Sequence, residues 1–319
     1  MLKFLILESQ MLRKSVWALC FLSISLYSDT VAFTLENDFF GSREDNHYTN
    51  GAFLIWMQEE EKNHRFDFFM DDLQTNTALS LTHQIFTPND KEATEPVWDD
   101  LPYAGYAKLN FLLYKSTANY FHEFGINIGA VGPVTRAQQL QDFFHKVVGD
   151  DPFKGWDNQL GNHVMAGVSY QFAYKTDAWD WHGYKIDSIS NIRGDAGNFY
   201  TGLLVSTTLR LSSSAPKTFV TAGNFMVMDE SDLLNVEDSK GFNWDISFGL
   251  YADAIYNYYI VDEGIDLGYQ LDPMRSALGW QGTVNVMYGS FKCTYKIKSA
   301  YINGPRDKRY GGVTLIWNF

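Results

Sequence analysis

The sequence predicts an all-β fold, a transmembrane antiparallel β-barrel of about 12 strands with one short amphipathic helix in an extracellular loop. Three observations carry this. The chain opens with an export signal, its remainder holds no run of about 18 apolar residues that would make a spanning helix, and aromatic residues reach 16% of it, with 19 Tyr, 24 Phe and 9 Trp. An exported, aromatic-rich chain without a spanning helix has one other way across a membrane. Strands closed into a barrel pair every backbone group between neighbours and need only an alternating apolar face, with aromatic girdles at the two interfaces.

The export signal is read from Arg13 and Lys14 as a positive start, Val16 to Leu26 as an apolar stretch too short to span a bilayer, and Thr30-Val31-Ala32 as a small-residue cleavage site. Residues 1–32 are therefore expected to be a signal peptide, with Met11 able to begin a complete signal by itself, and 33–319 to be the barrel domain. Leu19 stands before Cys20 where lipidation needs a small residue, so a lipoprotein is not expected. Cys293 is then the sole cysteine, which argues against a disulfide scaffold and a cysteine-based zinc site. A formal charge of −13 argues against nucleic acid as a partner, because phosphate binding needs clustered Lys and Arg. It leaves room for divalent cations at an acidic surface.

The strands themselves alternate. Trp244, Ile246, Phe248, Leu250, Ala252, Ala254, Tyr256 and Tyr258 are separated by residues such as Asn243, Asp245, Ser247 and Asp253, a period of two with aromatics at both ends. The pattern recurs at Val164, Ala166, Val168, Tyr170 and Phe172, and at Leu203, Val205, Thr207, Leu209 and Leu211. In the last strand Val313, Leu315, Trp317 and the terminal Phe319 share a face, an ending that resembles the assembly signal of bacterial outer-membrane barrels. Strands are expected at 31–36, 49–59, 78–86, 103–115, 119–131, 163–175, 184–193, 199–212, 243–260, 276–288, 290–301 and 310–319, and 217–229 also reads as a strand.

One helix interrupts them. Pro133 precedes it, and Thr135 with Gln138 has the spacing of a capping box. Leu140, Phe143, Phe144 and Val147 fall on one face, while Gln138, Gln141, Asp142 and His145 fall on another. A helix with one greasy and one polar face in a barrel loop can lie against the rim; taken alone His145 reads as a solvated residue, with Gln141 or Asp142 close enough to hydrogen-bond its ring and fix its tautomer. A second polar cluster lies in Glu36-Asn37-Asp38 and Asn46-His47-Tyr48-Thr49-Asn50-Gly51, where two strands joined by a polar loop would gather an amide, a carboxylate, an imidazole and a hydroxyl at one rim. Asn37-Asp38 offers hard oxygen donors suited to calcium or magnesium, though the same residues also read as a simple turn. No Gly-x-Ser-x-Gly elbow and no His-Glu-x-x-His pair occurs.

Together these stretches resemble the lipid A 3′-O-deacylase family of Gram-negative outer-membrane barrels. The carriers are Glu36-Asn37-Asp38 with Tyr48-Thr49-Asn50-Gly51, Asp100-Leu101-Pro102-Tyr103-Ala104-Gly105, Gly129-Ala130-Val131-Gly132-Pro133, the helix ending in His145, and Gly155-Trp156-Asp157-Asn158-Gln159-Leu160. The resemblance implies a monomeric outer-membrane esterase that removes the 3′-linked acyloxyacyl group of lipid A in lipopolysaccharide with the help of Ca²⁺. It implies that His145 is the general base, that Asn37 and Asp38 form or support the metal site, and that Thr49 lines the reacting centre. Lys91, Asp100, Tyr103 and Gln141 are the expected substrate contacts.

The chain departs from the family pattern at Leu101, where Arg is usual, and in the loop before it, where Lys91 stands among Asp90, Glu92 and Glu95. That acidic loop suits a lipid A with fewer phosphates. An outer-membrane phospholipase would need a Ser, His and Asn together on one wall, and no such trio is seen in one strand. A porin-like barrel remains the alternative from a different class.

Overall fold

A computed structural model describes residues 29–37, 40–41, 47–60, 69–149, 151–223, 229–300 and 308–319. Its strands are β1 (Asp29–Asn37), β2 (His47–Glu59), β3 (Gln74–Thr87), β4 (Ala104–Ser116), β5 (Tyr120–Val131), β6 (His163–Lys175), β7 (Trp179–Trp181), β8 (Tyr184–Gly197), β9 (Tyr200–Ser212), β10 (Ser239–Tyr258), β11 (Ser276–Gly289), β12 (Phe291–Ala300) and β13 (Lys308–Asn318). Each pairs antiparallel with its neighbour, β1 pairs with β13, and β6 pairs with β8, so the sheet has no open ends apart from the three-residue β7 hanging on β8. Twelve strands form the ring, as expected. The sheet includes Asp29 to Ala32, which the sequence reading placed in the signal peptide.

Closure sets which face is which. Phe33, Leu54, Leu81, Leu109, Ile128, Leu203, Phe248 and Leu315 are exposed on the outer wall, while Thr34, Ser80, Asn110, Gln171, Asp245 and Thr314 are buried inside. This is the inverse of a soluble protein, and it is what lipid outside and polar groups inside require. Across the β1–β13 seam the inner face is stitched by Thr30 Oγ1 donating to Asn318 Oδ1 at 3.0 Å and by Thr34 and Thr314 hydroxyls 2.9 Å apart.

Three expectations need correction. Residues 217–223 are not a strand; they lie inside the barrel, followed by a turn of 3₁₀ helix at Glu230–Leu233. Tyr258 does not share the lipid-facing side with Tyr256, because an irregularity between Ile255 and Asn257 shifts the register and turns Tyr258 into the interior, where it is 2% exposed. The strand also ends sooner than expected, giving way to a helix, α2 (Tyr259–Asp266), whose Asp262 carboxylate accepts from the Tyr258 amide at 2.8 Å.

Asp29 and Phe319 lie at one end of the barrel with the short connections 117–119 and 290; the opposite rim carries the long connections 88–103, 132–162 and 259–275. A helix, α1 (Ala137–Val148), sits on that rim and packs on β3 and β4.

Inside, Arg210 makes a two-pronged pair with Asp187, Nε to Oδ1 at 3.0 Å and Nη2 to Oδ2 at 2.6 Å, with both side chains buried. Removing one member of such a pair strands the other charge. Arg210→Leu is expected to lower unfolding free energy by about 3–5 kcal/mol, and Arg210→Met with Asp187→Leu to recover most of it, read from urea midpoints of the refolded barrel.

Candidate functional site

The site begins with a misfit in a strand. Tyr48 pairs with Phe86 of β3 and Asn50 with Ile85, leaving Thr49 as an extra residue between them. This bulge lets consecutive residues both turn inward, so Tyr48 and Thr49 are each 1% exposed. Thr49 Oγ1 meets Thr87 Oγ1 at 2.6 Å, fixing the end of β2 to the end of β3. Tyr48 instead sends its phenol across Gly51 to donate to Glu36 Oε2 at 2.8 Å. A Cβ on Gly51 would stand 2.0 Å from that hydroxyl, which explains a glycine at the close of the Tyr48-Thr49-Asn50-Gly51 run. On the same pair of strands Asn37 donates its amide to Asn50 Oδ1 at 2.8 Å. Asp38 lies outside the described residues.

The helix starts differently from the expected capping box. Pro133–Thr135 forms a turn of 3₁₀ helix, Thr135 Oγ1 donates back to Gly132 O at 2.7 Å, and Arg136 takes the cap position with a left-handed φ of 57° and no side-chain cap bond. His83 on β3 holds this start by a 3.1 Å bond from Nε2 to the Thr135 carbonyl. Gly105 of β4 lies so close beneath that a Cβ there would be 2.2 Å from Thr135 Oγ1 and 2.3 Å from Ala137 Cβ.

On α1 the polar ridge is the buried one. Gln141 and His145, on the polar ridge, are 0% and 6% exposed, whereas Phe143 on the apolar ridge is 59% exposed. His145 is thus a seam residue rather than a solvated one. Neither Gln141 nor Asp142 orients its ring: Nδ1 donates to the Asp151 carbonyl at 2.7 Å, and the ring packs edge-on against Phe153 with centroids 5.3 Å apart. With the proton of a neutral imidazole held on Nδ1, the lone pair belongs to Nε2. Gln141 accepts from Trp156 Nε1 at 2.8 Å, and the Trp156 ring packs at a 53° tilt against Tyr103 with centroids 5.0 Å apart. Burial, with Asp90 and Asp100 nearby, pushes the Tyr103 phenol up to about 12.

The expected substrate contacts hold this seam together. Asp100 is buried and staples its loop through bonds from the amides of Leu101 and Asn89, both at 2.8 Å. Lys91 gives its carbonyl to the Lys154 amide at 3.0 Å, and Lys154 forms an exposed pair with Glu92 at 2.5 Å. Loop 88–103 is therefore laced to loop 150–162, and α2's following turn supports it from the other side, Gln270 N donating to Trp98 O at 2.6 Å. Sequence reasoning did not find His83, Thr87, Asp151 or α2. Two act through a backbone carbonyl or as its partner, Thr87 is an ordinary strand end, and α2's Ile260, Val261 and Gly264 are poor helix formers that continued an alternating strand.

Among the described residues no group of three or more His, Cys, Asp or Glu could hold a metal ion. The oxygen donors at the β1 rim are the Asn37 amide and the Glu36 carboxylate, hard donors of the kind calcium takes.

The family of outer membrane protein LpxR matches residues 10–319. The chain belongs to that family. It is the family that the five stretches of sequence resemble. Among solved structures the fold is similar to LpxR from Salmonella typhimurium, with a TM-score of 0.75 at 16% identity over 91% of this chain and 100% of that one. It is more distantly similar to the β domain of the Bordetella autotransporter BrkA, with a TM-score of 0.46 at 7% identity over 92% and 97% of the two chains. A sequence search of curated proteins finds no match.

The tight contact at Gly105 gives a test of how the helix is seated. Gly105→Ala is expected to lift α1 while leaving the barrel's resistance to SDS intact, read as faster protease cleavage within 132–162 of the folded barrel than in the parent.

Proposed function

We propose that the chain is a lipid A 3′-O-deacylase of the outer membrane, hydrolysing the ester that links the 3′ acyloxyacyl chain, with His145 as the general base. The observation that carries this reading is the His145 ring held at Nδ1 by the Asp151 carbonyl in a buried seam between helix and barrel rim. That tautomer leaves Nε2 to take the proton of a water. The hydroxide equivalent adds to the ester carbonyl, and on collapse the proton passes to the departing sugar oxygen, giving a free fatty acid and a sugar hydroxyl. Gln141, Trp156 and Tyr103 position the helix, and Thr49, fixed by Thr87, lines the reacting centre.

Support also comes from the apolar ridge. Phe143 and Val134 are exposed on the outer side of α1 and its entry turn, so the catalytic ridge turns inward while the greasy ridge turns to where an outer leaflet would lie. An ester carried on lipid then meets the base without leaving the membrane surface.

The ion in this proposal is Ca²⁺, with Asn37 and Asp38 as protein ligands and backbone carbonyls and water completing the shell. When bound it would supply a fixed positive charge to the carbonyl oxygen. His145→Ala, inserted to the same level as the parent, is expected to lose about 10²–10⁴ in deacylation rate. Chelation of calcium should silence the parent enzyme and added calcium restore it. Lipid A lighter by the acyloxyacyl group in His145→Ala cells at the parental level would refute the assignment of the base.

The substrate favoured here carries few phosphates. Lys91 is the one basic residue of the 88–96 stretch, and Lys154, whose amide bonds the Lys91 carbonyl, has its side chain engaged by Glu92. Purified enzyme given dephosphorylated and bis-phosphorylated lipid A should process the first at least as fast; clear preference for the second would reject this specificity.

A further inference from the structure

A ring of twelve strands encloses more space than its own inward side chains fill; about 8 strands is the size that side chains alone can pack. In a water-filled barrel the inward charges would be wet. Here Lys115, Arg210, Asp245 and Lys298 are each 0% exposed. Something else occupies the lumen.

The occupant is the connection between β9 and β10, of which the described parts, 216–223 and 229–236, run back inside the barrel. Phe219, Ala222, Ser231 and Leu234 on it are fully buried. Phe219 meets Phe121 of β5 edge-on at 4.9 Å. The polar attachments come from all around the wall. Lys296 of β12 pairs with Asp232 at 2.6 Å and donates to the Thr221 carbonyl at 3.2 Å. Glu230 Oε1 accepts from Ser80 of β3 at 3.0 Å and from Asn110 of β4 at 2.9 Å. Lys175 of β6 donates to the Lys217 carbonyl at 2.7 Å. Arg210 of β9 donates to Thr218 at 3.3 Å.

The rim end is narrowed independently. Phe199, in the two-residue turn between β8 and β9, stacks on Tyr106 of β4 with centroids 3.6 Å apart and packs edge-on against Tyr258 at 5.9 Å. Between this aromatic cluster and Asp229–Glu230 lies a pocket of about 70 Å³, with Lys108, Arg193, Asp195 and Tyr200 among its walls.

We propose that the described parts of this connection, 216–223 and 229–236, form an internal plug, latched by Asp232–Lys296 and Glu230, that closes the lumen to ions and small solutes. The barrel then acts as a scaffold for the rim site and adds no leak to the membrane that carries it. Charge pairing suits this task. A plug held by apolar contact alone could slide along the lumen, whereas each displaced charge would be left buried and unpaired.

Planar-bilayer recording tests it. The full chain should show no stepwise conductance, and a variant with 217–235 replaced by a short Gly-Ser linker, its barrel verified by heat-modifiable migration, should conduct. Steady channels from the full chain, or a folded plug-less barrel that stays closed, would overturn the proposal. Should the excised chain not fold, Ser231→Cys in a Cys293→Ala background provides the second arm. A water-soluble maleimide should label Cys at that position only after denaturation, and prompt labelling of the native barrel would also reject the plug.

Discussion

The structure depends on one constraint: a sheet crossing a membrane must leave no backbone group unpaired, so it must close. The pairings β1–β13 and β6–β8 meet that demand, and the rest follows from having an inside and an outside. Polar residues turn inward because the lumen is where their partners are. Apolar residues turn outward because lipid is there. The same inversion reaches α1, which is not part of the sheet. On a soluble protein its Phe143 ridge would be the buried one; on a barrel rim it is the exposed one, and the Gln141–His145 ridge is pressed against the protein.

That reversal decides the chemistry available to His145. A solvated imidazole on a helix has no fixed tautomer and many competing waters. Packed against Phe153 and bonded to the Asp151 carbonyl, it has one orientation and its Nδ1 proton is held in place. The helix is held from two strands. Gly105 of β4 permits its approach and His83 of β3 ties down its first turn, while on the same rim Thr87 bonds Thr49 across β2 and β3.

The barrel was legible in the sequence because its signal is a simple period of two repeated along the chain. The order of the ring strands was readable too, and β6 was bounded at 163–175 without error. What could not be read were departures from periodicity. The shift near Ile255 that turns Tyr258 inward leaves the residue pattern unchanged, so an alternating run looked unbroken. Residues 217–223 have strand-like composition, yet their backbone groups are met by side chains rather than by a neighbouring strand: the Thr221 carbonyl accepts from Lys296 and Gln281, and the Ala222 amide donates to Asn191. At the site, residue types were visible but roles carried by backbone were not: nothing about Asp151 as a residue announces that its carbonyl would hold the imidazole.

The bulge at Thr49 ties these strands of reasoning together. A regular strand would place Tyr48 and Thr49 on opposite faces, one toward lipid and one toward the interior. Tyr48 could not then reach Glu36 while Thr49 reached Thr87. The extra residue allows both, at the cost of one broken step in the β2–β3 ladder, and it does so at the rim, where water can satisfy the groups that the ladder leaves behind. The same irregularity in mid-membrane would expose backbone to lipid and be far less tolerable. The position of the site at the rim therefore follows from the strand geometry it uses: a barrel can distort its strands to build a pocket only where the membrane ends.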